Sequence, residues 1–104
     1  MTESQKIVNL NMTFKNIDAT EPIRQYADSK IGNCLRKFAH ADIDAHLVLT
    51  VEKNRQLAEI SMRLNGTDLQ GKEESDDLYK SIDALVDSLT MQLRKHKERL
   101  IKHH

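Results

Sequence analysis

The sequence predicts an α/β (α+β) two-layer sandwich of order β-α-β-β-β-α, a four-stranded sheet with both helices on one face. Three observations predict it. Apolar and polar residues alternate over short stretches, as in half-buried strands. Two other stretches repeat apolar residues every three to four positions, as in amphipathic helices. Turn signals join the later strands, making the sheet antiparallel through its hairpins. At 104 residues, 38% hydrophobic and 31% charged, the chain supports one domain with a modest core and no deep interdomain cleft.

After a loose start over residues 1–5, Ile7, Val8, Leu10, Met12 and Phe14 mark a first strand over residues 6–14. Thr20 is placed to cap a helix and Pro22 suits its first turn. Ile23, Ala27, Ile31, Cys34, Leu35 and Phe38 form that helix's apolar stripe, which Gly32 weakens without breaking. Ile43, Ala45, Leu47, Leu49 and Val51 alternate with polar neighbours in a second strand, and residues 53–56 turn the chain. Ala58, Ile60, Met62 and Leu64 face inward on a third strand, and Asn65-Gly66 signals a hairpin into a short fourth strand near Leu69. Ser75 is expected to cap a long last helix, with Leu78, Ile82, Leu85, Leu89 and Leu93 on one stripe, Leu100 continuing it, and residues 101–104 frayed.

No apolar run is long enough to span a membrane, and the opening MTESQK lacks the apolar core of a secretory signal, so a cytoplasmic protein is expected. There is no glycine-rich phosphate loop, no metal-ligand spacing and no nucleophile motif. The expectation is a protein that is not an enzyme and has no cofactor, metal or small-molecule substrate. Cys34 reads as a buried hydrophobe and His96 as a packing imidazole, His40 and His46 stand isolated, and His103 and His104 belong to the frayed end.

A net charge of zero argues against indiscriminate nucleic-acid binding, so any such binding requires a local patch. Residues 73–87 hold six acids against Lys80, whereas residues 94–102 hold five bases against Glu98. The helix dipole explains part of this pattern; the basic excess is what a polyanion would meet. On the first helix Tyr26, Lys30, Asn33 and Lys37 form a row beside the apolar stripe, with Arg24 and Arg36 on other faces. Lys53 and Arg55 fall in a hairpin turn, and Lys72 lies just before the last helix. Together these bases would make a platform for folded RNA, read by shape and backbone. The candidate phosphate contacts are Arg24, Lys30, Lys37, Lys53, Arg55, Lys72, Arg94, Lys95 and Lys97, with Tyr26 and Tyr79 as supplements. The competing reading is a protein-interaction or transcription-modulating module that presents the acidic residues 73–87 to a basic partner.

Val51-Glu52-Lys53, Leu64-Asn65-Gly66, Asp77-Leu78-Tyr79, the run Ser81-Ile82-Asp83-Ala84-Leu85-Val86-Asp87 and Gln92-Leu93-Arg94-Lys95-His96-Lys97 are collinear with segments of a known family. Over residues 7–100 the chain resembles the bacterial ribosome hibernation promoting factors. The resemblance implies a fold related to double-stranded RNA-binding domains. It also implies a site on the small ribosomal subunit, between head and body, overlapping the messenger RNA channel and the A and P tRNA sites, where members stop translation in stationary phase. The family usually carries a second lysine one turn after the position of Lys30; here Asn33 stands there, so that contact would fall to Arg36 or Lys37. Ending at His104, the chain resembles the short members, which rely on a separate modulation factor for ribosome dimerisation, and dimerisation driven by this chain alone is not expected.

Overall fold

The computed structural model describes residues 7–39, 41–64 and 66–102, with side chains to residue 99. The expected loose start over residues 1–5, together with His40, Asn65, His103 and His104, lies outside the described residues, as does the side chain of Leu100. Strand β1 (Val8–Lys15) is followed by a continuous helical rod: α1 (Glu21–Ala27), a π-helical segment (Asp28–Gly32) and α2 (Asn33–Phe38). Then come β2 (Ile43–Glu52), β3 (Arg55–Leu64), β4 (Thr67–Ser75) and α3 (Leu78–Lys102). The strands lie in chain order, β1-β2-β3-β4. The rod is a crossover, so β1 runs parallel to β2, from Val8 opposite Ile43 to Lys15 opposite Thr50. The two hairpins make the remaining pairs antiparallel.

Alternation sorts the sheet into two unlike faces. Ile43, Ala45, Leu47 and Leu49 of β2, with Ala58, Ile60, Met62 and Leu64 of β3, are buried under the helices. Leu78, Ile82, Leu85, Leu89 and Leu93 of α3 complete the core, the last four fully buried. Each such leucine contributes roughly 2 kcal/mol by leaving water. Gly71 in β4 permits the close approach of α3, since a Cβ there would stand 3.0 Å from the Leu85 side chain. The opposite face carries Asn11, Thr13, Asp44, His46, Glu59, Ser61, Arg63, Asp68 and Gln70, and no helix covers it.

Several sequence expectations shift. β3 begins at Arg55, so only Lys53 and Asn54 turn the chain, Lys53 with a left-handed φ of 47°. β4 is nine residues long rather than a short strand near Leu69, so Lys72, Glu73 and Glu74 are strand residues instead of helix approach. Ladder pairing with β3, from Leu64 opposite Thr67 to Gln56 opposite Ser75, overrides the weak strand propensity of this charged segment. Ser75 closes β4, and Asp77 caps α3 in its place: its carboxylate accepts the Tyr79 amide at 2.8 Å. Thr20 occupies the first helix's N-cap position but its side chain makes no capping bond. Gly32 lies in the π-helical turn, and α3 stays helical to Lys102, two residues into the stretch expected to fray.

A polar knot ties the start of α3 to the sheet. The fully buried Ser81 hydroxyl donates to the Gln56 carbonyl at 2.7 Å and lies 2.8 Å from the Ser75 hydroxyl, while the Gln56 side chain accepts the Leu78 amide at 3.1 Å. Removing one partner strands the other out of water.

Two predictions follow from this packing. Leu85→Asp and Leu89→Asp should each abolish the cooperative urea transition, because an unpaired buried charge costs several kcal/mol against a typical total of about 5–15. Ser81→Ala should cost about 1–3 kcal/mol, read as a lower urea midpoint at unchanged slope.

Candidate nucleic-acid interface

The helical rod and α3 lie side by side, and their contacts run in register along both. Tyr26 donates its hydroxyl to the Asp83 carboxylate at 2.6 Å, Cys34 Sγ meets Thr90 Oγ1 at 3.5 Å, and the Arg94 guanidinium stands 5.7 Å from the Phe38 ring centre. The two helices therefore run parallel. Both carboxyl ends, each the negative pole of a helix dipole, reach the same end of the molecule. Exposed Arg36 and Lys37 close the rod there, and exposed Arg94, Lys95, Lys97 and Arg99 follow on α3.

The π-helical turn decides which side chains line the seam. In a continuous α-helix, residues four apart drift by about 40° per step, so Tyr26, Lys30, Cys34 and Phe38 would spiral away from one another. One extra residue in the turn takes most of that drift back. Tyr26, Cys34 and Phe38 thus face α3, and Asn33 and Lys37 leave the row that the sequence suggested. Lys37 nevertheless reaches back over Phe38, its ammonium 5.5 Å from the ring centre, so two cations from two helices flank one ring. The seam's other end is aromatic: the Tyr26 and Tyr79 rings meet edge-on with centres 4.8 Å apart, and the Lys30 ammonium stands 5.5 Å from the Tyr26 ring.

The nine expected contacts do not form one patch. Lys37, Arg94 and Lys97 gather at the shared carboxyl end and Lys30 stands farther up the seam. Lys95 turns to the opposite flank of α3, in a shallow hollow with Glu73, Asp87 and Met91. Arg24 packs over Phe14 of β1, 5.4 Å from its ring centre. Lys53 is at the tip of the β2–β3 turn, near the start of α3, about 24 Å along that helix from Arg94. Arg55 and Lys72 point from the sheet face without helices.

The arginines of that face are paired with carboxylates, whereas Lys72 enters no ion pair among the described residues. Arg55 holds Glu74 with two hydrogen bonds of 2.9 and 3.2 Å and lies near Glu52, and Arg63 holds Asp68 likewise. The hydrogen bonds, aided by charge attraction, hold the Asp68 carboxyl below its usual range. Glu74 is lowered too, chiefly by its bond to Arg55. Both pairs support the fold above the ordinary carboxylate range and cease to as pH falls through the lowered values. The Tyr26 phenol is held above its usual value, chiefly by the bond to Asp83, so that bond's contribution is present below the ordinary tyrosine range and lost as pH rises through the raised one. Among the described residues, Lys30, Lys37, Arg94, Lys95 and Lys97 enter no ion pair.

Cys34 is buried at the seam, as its place on the stripe suggests, and no group of His, Cys, Asp or Glu among the described residues is arranged to hold a metal ion. No described helix is long and apolar enough to cross a membrane. Phe38, read from sequence as core, and Asp83, read as part of an acidic run, are the seam residues that sequence reasoning missed. The signal was the spacing of four from Tyr26 to Phe38, which only a π-helical turn brings onto one line.

Residues 10–101 match the family model described as sigma 54 modulation protein / S30EA ribosomal protein. The chain is 34% identical to the ribosome hibernation promoting factor of Klebsiella oxytoca over 92% of its length and all of the relative's. It is 33% identical to that of Azotobacter vinelandii, over 91% of this chain and 88% of the relative. Among solved structures, the N-terminal domain of Thermus thermophilus Protein Y superposes with a TM-score of 0.76 at 29% identity, over 85% of this chain and 98% of that one. A ribosomal subunit interface protein from Coxiella burnetii matches equally well, with a TM-score of 0.76 at 25% identity over 86% and 98%. With nearly its whole length matched in sequence and in fold, the chain belongs to the sigma 54 modulation protein / S30EA ribosomal protein family.

Proposed function

We propose that this protein is a cytoplasmic ribosome hibernation factor without enzymatic activity, which binds the small ribosomal subunit at the decoding region and excludes messenger RNA and the A- and P-site tRNAs. The observation that carries the reading is the convergence of exposed, unpaired cations from two parallel helices at one end of the seam. Such an array meets phosphates that follow a folded RNA surface, and it needs no base sequence to do so. The names of the relatives, ribosome hibernation promoting factors and a ribosomal subunit interface protein, point to the same partner. Lys30, Lys37, Arg94 and Lys97 are the central contacts. Arg24, Lys53, Lys72 and Lys95 are outer ones, reached only by RNA that wraps around the helical layer or past the hairpin tip. Arg55 contacts RNA only by releasing Glu74. In a cell the inhibited ribosomes would then dimerise with the help of a separate modulation factor.

The protein should co-sediment with isolated small subunits and be displaced by messenger RNA together with initiator tRNA; binding confined to large subunits would refute the assignment. Replacing Lys37, Arg94 and Lys97 with Ala should change stability by about 0.5 kcal/mol each or less, because all three are exposed. The same triple variant should bind subunits far more weakly and flatten the slope of log affinity against log salt by roughly two to three, one step per lost phosphate contact. If these bases serve only the helix dipoles, affinity and slope stay at their wild-type values.

A further inference from the structure

We infer that Tyr79, Asp83 and Lys30 form a receptor for one unstacked nucleotide, whose base lies on the Tyr79 ring and presents hydrogen-bond donors to Asp83. The inference rests on the RNA-binding reading above and adds a base-reading position to a surface otherwise suited only to phosphates. Tyr79 stands in the first turn of α3 with its side chain on the seam, and it is 38% exposed, one of few large apolar side chains left open to solvent among the described residues. Asp83 follows one helical turn later on the same side of α3. Its Oδ1 accepts the Tyr26 hydroxyl at 2.6 Å, which fixes the plane of the carboxylate and leaves Oδ2 as an acceptor. The Lys30 ammonium stands 5.5 Å from the centre of the Tyr26 ring, which meets Tyr79 edge-on, and enters no ion pair among the described residues.

A ring, a carboxylate and an ammonium from three positions thus each neighbour Tyr26, and a nucleotide carries the three complements: an aromatic face, N–H donors and a phosphate. The charges set its orientation. Asp83 repels the phosphate toward Lys30 and accepts from the base edge. A carboxylate is best satisfied by guanine, whose N1–H and N2–H lie side by side; uracil flanks its N3–H with two carbonyl oxygens that the carboxylate repels. Bases splayed from RNA loops are commonly held this way, stacked on an aromatic ring and bonded at the Watson–Crick edge.

The test uses the full chain bound to small ribosomal subunits, with the RNA probed at base edges by kethoxal and dimethyl sulfate and along the backbone by hydroxyl radicals. The wild type should protect a discrete base edge, a guanine by preference, beside its backbone footprint. Tyr79→Ala should weaken binding about tenfold at unchanged salt dependence, because stacking releases no counterions. At saturating protein it should lose the base-edge protection and keep the backbone footprint. Tyr79→Phe should retain both. Asp83→Asn, which can still accept the Tyr26 proton, should lose base-edge protection. Tyr79→Leu, which keeps an apolar side chain at the seam but offers no ring, should behave as Ala does and serves if Tyr79→Ala does not fold. Wild-type base-edge protection in Tyr79→Ala or Tyr79→Leu, or a wild-type footprint confined to the backbone, overturns the inference while leaving the ribosome-binding reading intact. Failure of the wild type to bind small subunits overturns both.

Discussion

The leucine stripe of α3 against β3 and β4 is the constraint on which the other features depend. Leu85 and Leu89 are wholly buried, and the helix comes close enough to β4 that a Cβ at position 71 would crowd the Leu85 side chain at 3.0 Å. Once α3 is seated at that distance, its second flank has a fixed place over the sheet, and the helical rod must fill the remaining space beside it. The seam between the two helices is the outcome. Its small and aromatic side chains, Cys34, Tyr26 and Phe38, are those that fit between two rods resting on one surface.

The parallel arrangement of the helices has an electrostatic cost and a functional use. Two helix carboxyl ends side by side place two negative dipole poles together, which the cluster of Arg36, Lys37, Arg94, Lys95, Lys97 and Arg99 offsets. The same cations stay exposed, because a dipole pole is a diffuse partial charge and does not occupy an ammonium or guanidinium group as a carboxylate would. Acids collect toward the other end, where Asp77 caps α3 and Asp83 binds Tyr26. A chain of zero net charge is in this way strongly polarised along its helical layer. The bare sheet face follows the opposite rule, its arginines each claimed by a carboxylate on the neighbouring strand. Cross-strand pairing holds opposite charges within reach, which leaves those arginines little attraction for a polyanion.

Much of the fold was legible in local pattern. The stripes of both helices, the inner faces of β2 and β3 and the element order follow from periods of 3.6 and 2, because burial on one face imposes those periods on any chain. Residues 67–75 were less legible: β4 has few apolar residues and many charges, and its length comes from the backbone ladder it shares with β3. The start of α3 was misplaced by two residues because Ser75 and Asp77 are both good capping residues; Ser75 is instead held by the end of β4 and by Ser81.

The candidate site divides the same way. The sequence by itself determined which residues carry charge, that the bases crowd toward the ends of both helices, and that a helix separates the first two strands. Those are properties of composition and local period. Only the tertiary structure decided that the helices run parallel, that a π-helical turn brings Tyr26, Cys34 and Phe38 onto one seam, and that Arg55 and Lys72 face away from Lys37 and Arg94. Which charges converge depends on distances between residues far apart in the chain. Packing sets those distances, and no local pattern of side chains encodes them.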